Sequence, residues 1–341
     1  MDEYLDGVRR ELEFRARDRG WSLETLYLGG GTPSRLGGEG VARLLDLIRT
    51  RAELTPGAEL TVEANPDDVT QDAARAWREA GVNRVSLGVQ TFHQPALEWM
   101  HRTHDTAAGA AAVGELRSAG IDSVSVDLIF ALPDSLGRSW ERDLELALDL
   151  QPSHLSLYGL TVEPATPLFR WIQRGDVQET SEERYAEDFL MAHRAVTAAG
   201  LEHYEVSNFG RLGHRSRHNS SYWRHVPYAA LGPGAHGYDG ERRSWNAPSY
   251  AQWLNLLREG KDPSVGSETL GRNELDAERV YLGLRTSDGL RLRAREREVV
   301  AEGGWESAGW AELDGDRLRL TPAGWLRLDS LAAVLTAKAS H

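Results

Sequence analysis

The 341-residue sequence contains no cysteine. That absence excludes disulfides, thiolate zinc sites, thiolate-held iron–sulfur clusters and a cysteine nucleophile within it. Positive charge is scarce: 39 Lys and Arg face 52 Asp and Glu, for a formal net charge of -13. Such a surface favours solubility and disfavours nucleic acid or an anionic membrane as the main partner. No apolar run is long enough to span a bilayer. The opening stretch MDEYLDGVRRELEF is charged and helical in pattern, not a basic-then-apolar leader. The expectation is a cytoplasmic protein. Low-complexity tracts and short repeats are absent too.

What is present reads as α/β. A chain of this length, 40% hydrophobic, suggests two domains or one large domain with an appendage. Tyr4–Arg19 reads as a helix. Strand-like runs follow at 25–30, 59–66, 84–90, 123–130 and 154–160. Helical patterns fill 39–53, 107–119, 138–150 and 182–199, with Thr70 set to cap a further short helix and Gly81 to close it. Five β-runs alternating with helices imply a parallel sheet with crossover helices, and their near-continuous apolar character implies cover on both faces. A helix precedes the first strand, which suggests one strand missing upstream of Met1. Past Gly210 the chain turns loop-like and rich in His, Arg, Gly and aromatics, too long for an ordinary connection. From about residue 264, helices followed by a hairpin at Asp314–Gly315 suggest a winged-helix-like module with a packing or partner role.

Ligands of parallel α/β folds bind at the carboxyl ends of the strands. That rule gathers Gly29, Gly30, Gly31, Thr32, Glu63, Asn65, Gln90, Asp127 and Tyr158 at one end, with Arg102 in the loop after Gln90. Each has a plainer reading as a turn, a cap or a satisfied polar group; GGGTPS lacks the spacing of a phosphate cradle. Asp127 is hardest to dismiss, because a carboxylate between Val126 and Leu128 needs a partner. Together they suit a zwitterionic, amino-acid-like ligand bearing a sugar. A second constellation, SRHNSSYWRHVPYAALGPGAHG at 216–237, crowds His218, His225 and His236 close to His214. Four histidines could form a metal site, although the spacing matches no standard zinc pattern. One histidine could instead ligate haem iron beneath Tyr222, Trp223 and Tyr228; or the aromatics simply pack a loop. Ser/His/Asp catalysis lacks its G-x-S-x-G elbow. His101 and His104 read as part of a solvated loop.

The stretches GGGTPS (29–34), VEANPDD (62–68), NRVSLGVQTF (83–92), HRTH (101–104), VDLIFALP (126–133), HLSLYGLTVEPATPL (154–168), HYEVSNF (203–209), RHNSSYW (217–223) and LGPGAH (231–236) occur in that order. The sequence thereby resembles the radical S-adenosylmethionine proteins of the oxygen-independent coproporphyrinogen III oxidase group, and within it the haem-chaperone branch, over nearly the whole chain. The resemblance implies an incomplete (β/α)6 TIM-like barrel, here without its first strand, plus the small C-terminal module. It divides the chain into a partial barrel at 1–210, a haem-associated segment at 211–263 and a C-terminal domain at 264–341. It implies S-adenosylmethionine at Gly29, Gly30, Gly31, Thr32, Glu63, Gln90, Arg102 and Asp127. It implies haem at His218, Asn219, Tyr222 and Trp223, with His218 on the iron. Haem and haem-acceptor proteins are then the partners, and any membrane association is expected through an acceptor. The departure is the family's C-x3-C-x2-C, which would hold a [4Fe-4S] cluster and which this sequence lacks, so radical catalysis is not expected of it. Either the sequence is a truncated form of a longer protein, which could be the oxidase itself, or it is a degenerate cluster-free scaffold. The helix-first start favours truncation.

Overall fold

The structure, a computed structural model, describes residues 1–16, 20–164 and 166–339. Helix α1 spans Asp2–Arg15; residues 17–19 of the expected helix lie outside the described residues. Alternation then proceeds through β1 (Trp21–Leu28), α2 (Gly37–Arg49), β2 (Ala52–Ala64), α3 (Gln71–Glu79), β3 (Arg84–Gln90), α4 (Gln94–Trp99), α5 (Ala108–Ser118), β4 (Ser123–Phe130), α6 (Trp140–Asp149) and β5 (His154–Gly159). Local chemistry sets these limits. Thr70 caps α3 by accepting from the Ala73 N–H, and Ser139 caps α6 in the same way from Arg142. Gly81, at φ 93°, turns the chain out of α3 where a left-handed residue is needed.

The chain continues with α7 (Pro167–Arg174), α8 (Glu182–Ala198), β6 (Glu202–Glu205) and β7 (Asn208–Gly210). Seven strands form one sheet in the order β1-β2-β3-β4-β5-β7-β6. Strands β1 to β5 are mutually parallel, and β7 runs antiparallel to both β5 and β6. The sheet curls into a partial barrel. Strands β3, β4 and β5 fall where the sequence pattern predicts, whereas β1 begins four residues and β2 seven residues before the predicted starts; β6 and β7 are too short to leave a periodic signal.

The apolar cover is one-sided, which corrects the expectation of two apolar faces. Leu28, Val62, Val85 and Val124 share one register row, and Ala64, Leu87, Val126 and Leu155 another. All eight are buried, and they form one core with Val41 and Leu45 of α2, Trp77 of α3 and Leu116 of α5. The opposite face carries the polar residues described below.

The segment expected to be loop is partly ordered: α9 (Arg217–Trp223) is a helix, followed by β8 (His236–Tyr238) and β9 (Arg242–Asn246). Ser216 caps α9 by accepting from the Asn219 N–H, a start signal that seven residues of irregular periodicity hide. After α10 (Tyr250–Arg258), β10 (Ser264–Thr269) completes a three-stranded sheet with β9 and β8. The remainder is α11 (Arg272–Leu284), β11 (Leu290–Arg291), α12 (Ala294–Glu302), β12 (Ala311–Asp314), β13 (Arg317–Leu320), α13 (Pro322–Trp325) and α14 (Leu328–Ala339). The β12–β13 hairpin turns through Gly315 and Asp316, one residue later than predicted. Among the described residues, no helix is long and apolar enough to cross a membrane.

Candidate functional site

Period-two alternation places polar side chains in register on the inner face of the curl. Tyr27, Thr61 and Arg84 form one row, and Glu63, Ser86, Ser125 and His154 the next. Asp127 and Ser156 pair one step further toward the carboxyl end, and Thr25 pairs with Glu59 one step below Tyr27. Six of these, Thr61, Arg84, Ser86, Ser125, His154 and Ser156, are buried.

The glycine run begins one residue after β1 ends. Gly30 sits at φ 81°, and its N–H donates to Glu63 Oε2 at 3.2 Å. The Tyr27 hydroxyl donates to Glu63 Oε1 at 2.7 Å. A Cβ on Gly29 would lie 2.4 Å from the Tyr27 ring and 2.9 Å from the Glu63 carboxyl, so glycine is required there. Burial raises the pKa of Glu63 against those two hydrogen bonds, and burial followed by the Glu63 charge raises that of Tyr27. Gly31 is open on its Cβ side, and the Thr32 carbonyl accepts from the Arg35 N–H.

Asp127 does have partners, and they are serines. Ser86 donates to its Oδ2 at 2.7 Å and Ser125 to its Oδ1 at 2.9 Å. Burial nevertheless pushes its pKa up to about 6, against those bonds and the charge of Arg84. Tyr158 is exposed at the carboxyl end of β5, where burial of its hydroxyl and the Asp127 charge raise its pKa. Gln90 ends β3 at φ 69°, and Ala131 follows β4 at φ 55°. Two non-glycine residues in the left-handed region at one end of a sheet mark strain at the place where α/β sheets bind ligands. Arg102 reaches Asn65 Oδ1 at 3.5 Å, and burial lowers its pKa. Glu63, Asn65, Arg102 and Asp127 therefore lie on one end or inner wall of the curl.

Helix α9 docks against the same inner face. Glu59 accepts the backbone N–H groups of Arg217 and His218, at 3.0 and 2.9 Å. His218 Nδ1 lies 2.8 Å from Thr25 Oγ1, and its Nε2 lies 2.8 Å from the Tyr222 hydroxyl. Its ring stacks on Tyr27 with centroids 4.9 Å apart. Burial lowers the His218 pKa and keeps the imidazole neutral. Asn219 uses its backbone N–H on the Ser216 cap, and Trp223 lies under the Arg285 guanidinium at 4.5 Å.

The four histidines do not converge. His236 stacks on Trp245, and His225 sits 3.5 Å from Glu278. Among the described residues no group of three His, Cys, Asp or Glu could hold a metal ion. His104 is not solvated: it is buried, with Nε2 3.1 Å from the Val89 carbonyl, while His101 is exposed at φ 56°.

Sequence reasoning missed a buried relay. The Ser216 N–H donates to the Tyr204 hydroxyl at 3.2 Å, which lies 2.8 Å from His154 Nε2. His154 Nδ1 lies 2.8 Å from Ser125 Oγ, the donor to Asp127. Only a neutral Nδ1–H tautomer lets every member donate once, and burial holds the His154 pKa well below its ordinary value. The relay joins the Asp127 wall to the cap of α9. Its signal in the sequence is period-two polarity: Thr25 and Tyr27, Thr61 and Glu63, Arg84 and Ser86, Ser125 and Asp127, His154 and Ser156.

Residues 5–147 match the radical SAM superfamily. Coproporphyrinogen III oxidase (HemN) from Escherichia coli, a radical SAM enzyme, superposes on 98% of this chain and 82% of its own at a TM-score of 0.80 and 21% sequence identity. The fold is thus that of the radical SAM class. Heme chaperone HemW of Mycobacterium tuberculosis (strain ATCC 25618 / H37Rv) is 37% identical over 342 residues, 98% of this chain and 86% of the relative. HemW of Bacillus subtilis (strain 168) is 35% identical over 85% of this chain and 77% of its own length. The chain belongs to the HemW family.

Proposed function

We propose that this protein binds haem and passes it to acceptor proteins, with His218 as the axial ligand. The observation that carries this reading is the orientation of His218. Its Nδ1 lies within hydrogen-bond reach of Thr25 Oγ1, and in the Nδ1–H tautomer that contact leaves the Nε2 lone pair for a metal, as in most ligating histidines. The Tyr222 hydroxyl now meets that lone pair from the same helix, one turn on, and a rotation of its side chain frees it. The residues present fit a single axial ligand. Bound there, haem supplies an iron that accepts an imidazole nitrogen. Tyr27 stacks on the ring, and Asn219 and Trp223 of α9 are further candidate haem contacts.

S-adenosylmethionine is the proposed ligand of the carboxyl end of the sheet, at Gly29, Gly30, Gly31, Thr32, Glu63, Gln90, Arg102 and Asp127. The open backbone at Gly30 and Gly31 and the carboxylate at Glu63 suit its ammonium group. The residues do not fit an iron–sulfur cluster, for no cysteine exists in the sequence. No radical step, and hence no porphyrinogen decarboxylation, is assigned to them.

Titration of the purified chain with hemin, followed at the Soret band, tests the haem reading. A red-shifted band that saturates near one equivalent, and is lost in His218→Ala, is expected. An unchanged spectrum in His218→Ala would remove His218 as the ligand. No band in the wild type would overturn the function.

A further inference from the structure

On the inner face of the partial barrel, Arg84 forms no ion pair among the described residues. Arg84 is 4% exposed, and its Nε and Nη1 are buried without a hydrogen-bond partner. Its register neighbour Thr61 is 1% exposed, and the Thr61 Oγ1 is likewise buried and unpartnered. The nearby carboxylates are engaged elsewhere. Glu59 takes two N–H groups of α9, Glu63 takes Tyr27 and Gly30, and Asp127 takes Ser86 and Ser125. No ion pair engages Arg84 among the described residues, although its field reaches Asp127 and His154. A guanidinium withdrawn from water without a counter-ion costs several kcal/mol, so such a group is retained where something else supplies the charge.

We infer that Arg84 and Thr61 form a carboxylate-binding site on the inner face of the barrel. The guanidinium presents a planar fork of donors that matches a carboxylate, and the Thr61 hydroxyl adds one more. Arg84 stands in the same register row as Tyr27, two strands away, roughly 10 Å at ordinary strand spacing. Tyr27 carries the stacked His218. A porphyrin ligated at His218 would therefore bring its acidic side chains into the neighbourhood of Arg84; this identity of the ligand rests on the haem reading above. A free small carboxylate is the other source of the same group.

Two measurements on the full chain distinguish these sources. In the first, the thermal midpoint is recorded in sodium acetate and in sodium chloride of equal ionic strength. The wild type should rise by about 2 °C or more in acetate. Arg84→Met should show no rise, Thr61→Val a smaller one, and Arg84→Lys part of it, since lysine keeps the charge and loses the fork. In the second, hemin is compared with its dimethyl ester. The wild type should prefer the diacid by about tenfold, and Arg84→Met should bind both alike.

Acetate stabilisation that depends on Arg84, in a chain that binds no hemin, would uphold the site and defeat the haem reading. Equal binding of hemin and its ester, with no effect of acetate, would overturn the site and leave the haem reading standing. Arg84→Met that loses stability equally in both salts, with no rescue by Arg84→Lys, would make Arg84 structural and also overturn the site.

Discussion

His218 of α9 stacks on Tyr27 of β1, with ring centroids 4.9 Å apart and planes 17° from parallel. Tyr27 in turn donates to Glu63 at 2.7 Å. This contact joins two groups of residues that lie far apart in the chain. The glycine-flanked end of the sheet and the histidine-bearing helix share one wall, with Tyr27 between them.

Thr25 orients His218 without touching a ligand. Thr25→Val keeps the shape of the side chain and removes the hydroxyl 2.8 Å from Nδ1. Hemin affinity should fall by roughly ten- to a hundredfold, the usual loss when the group that orients a metal-ligating histidine is removed. Tyr222→Phe should act in the opposite sense and tighten binding, because Nε2 no longer shares its lone pair. Soret titrations of both variants check the pair; equal affinities would separate Thr25 from ligation.

Gly29 and Gly31, two residues apart, should differ sharply. Gly29→Ala places a methyl against Tyr27 and Glu63, at 2.4 and 2.9 Å, and should cost about 1–3 kcal/mol. Gly31→Ala meets nothing within 4 Å and should change stability by less than about 0.5 kcal/mol. Urea unfolding of the two variants provides the comparison, and a neutral Gly29→Ala would contradict the close approach.

Acid should expose the buried histidine His203. It is 6% exposed, stacks on Phe209 and has its pKa pushed down to about 3, chiefly by burial. The unfolded chain takes a proton at His203 near pH 6.5, whereas the folded chain does not until about pH 3. Stability is therefore full above pH 6.5 and falls as pH drops, by up to about 1.4 kcal/mol per pH unit for this group. Asp127, pushed up to about 6, works in the opposite direction below that pH and offsets part of the loss. The difference between wild type and His203→Gln isolates the histidine: the two stability curves should converge between pH 6 and 4. Parallel curves would exclude the assignment.

Arg285 ties the C-terminal helix α11 region to α9. Its Nε lies 3.2 Å from the carboxylate of Glu205, which is 0% exposed, and its guanidinium covers Trp223 at 4.5 Å. Arg285→Met leaves Glu205 buried without its counter-charge and should destabilise the protein by about 3–5 kcal/mol. Adding Glu205→Gln should restore most of that loss. A denaturation series on the single and double variants tests it.

The parallel part of the fold was legible because burial behind a sheet writes itself as short apolar runs. The five runs around Leu26, Val62, Val85, Val126 and Leu155 each became a strand. The short β6 and β7 escaped, since three or four residues carry no period. The site was half legible. Glu63 and Asp127 stood out as charges in apolar company, but Tyr27, His154 and Arg84 did not, because an aromatic, a histidine or a strand-initial arginine is unremarkable locally. The histidine-rich segment misled in a different way. Proximity in sequence suggested a cluster, whereas helix α9 and the β8–β9 turn send His218, His225 and His236 to separate partners.

By itself the sequence determined composition and order: no thiolate chemistry, an acidic balance, a β/α alternation, and the motif series that resembles radical S-adenosylmethionine proteins. Those properties depend only on residue type and spacing along the chain. Tertiary structure alone decided that the inner face is polar, that Glu63 answers to Tyr27, that Asp127 connects through Ser125, His154 and Tyr204 to Ser216, and that Arg84 forms no ion pair among the described residues. Each depends on which rows of a curled sheet come into register and on where α9 lands. Those contacts span tens to nearly two hundred residues of sequence, and only the packed fold holds them within hydrogen-bond reach.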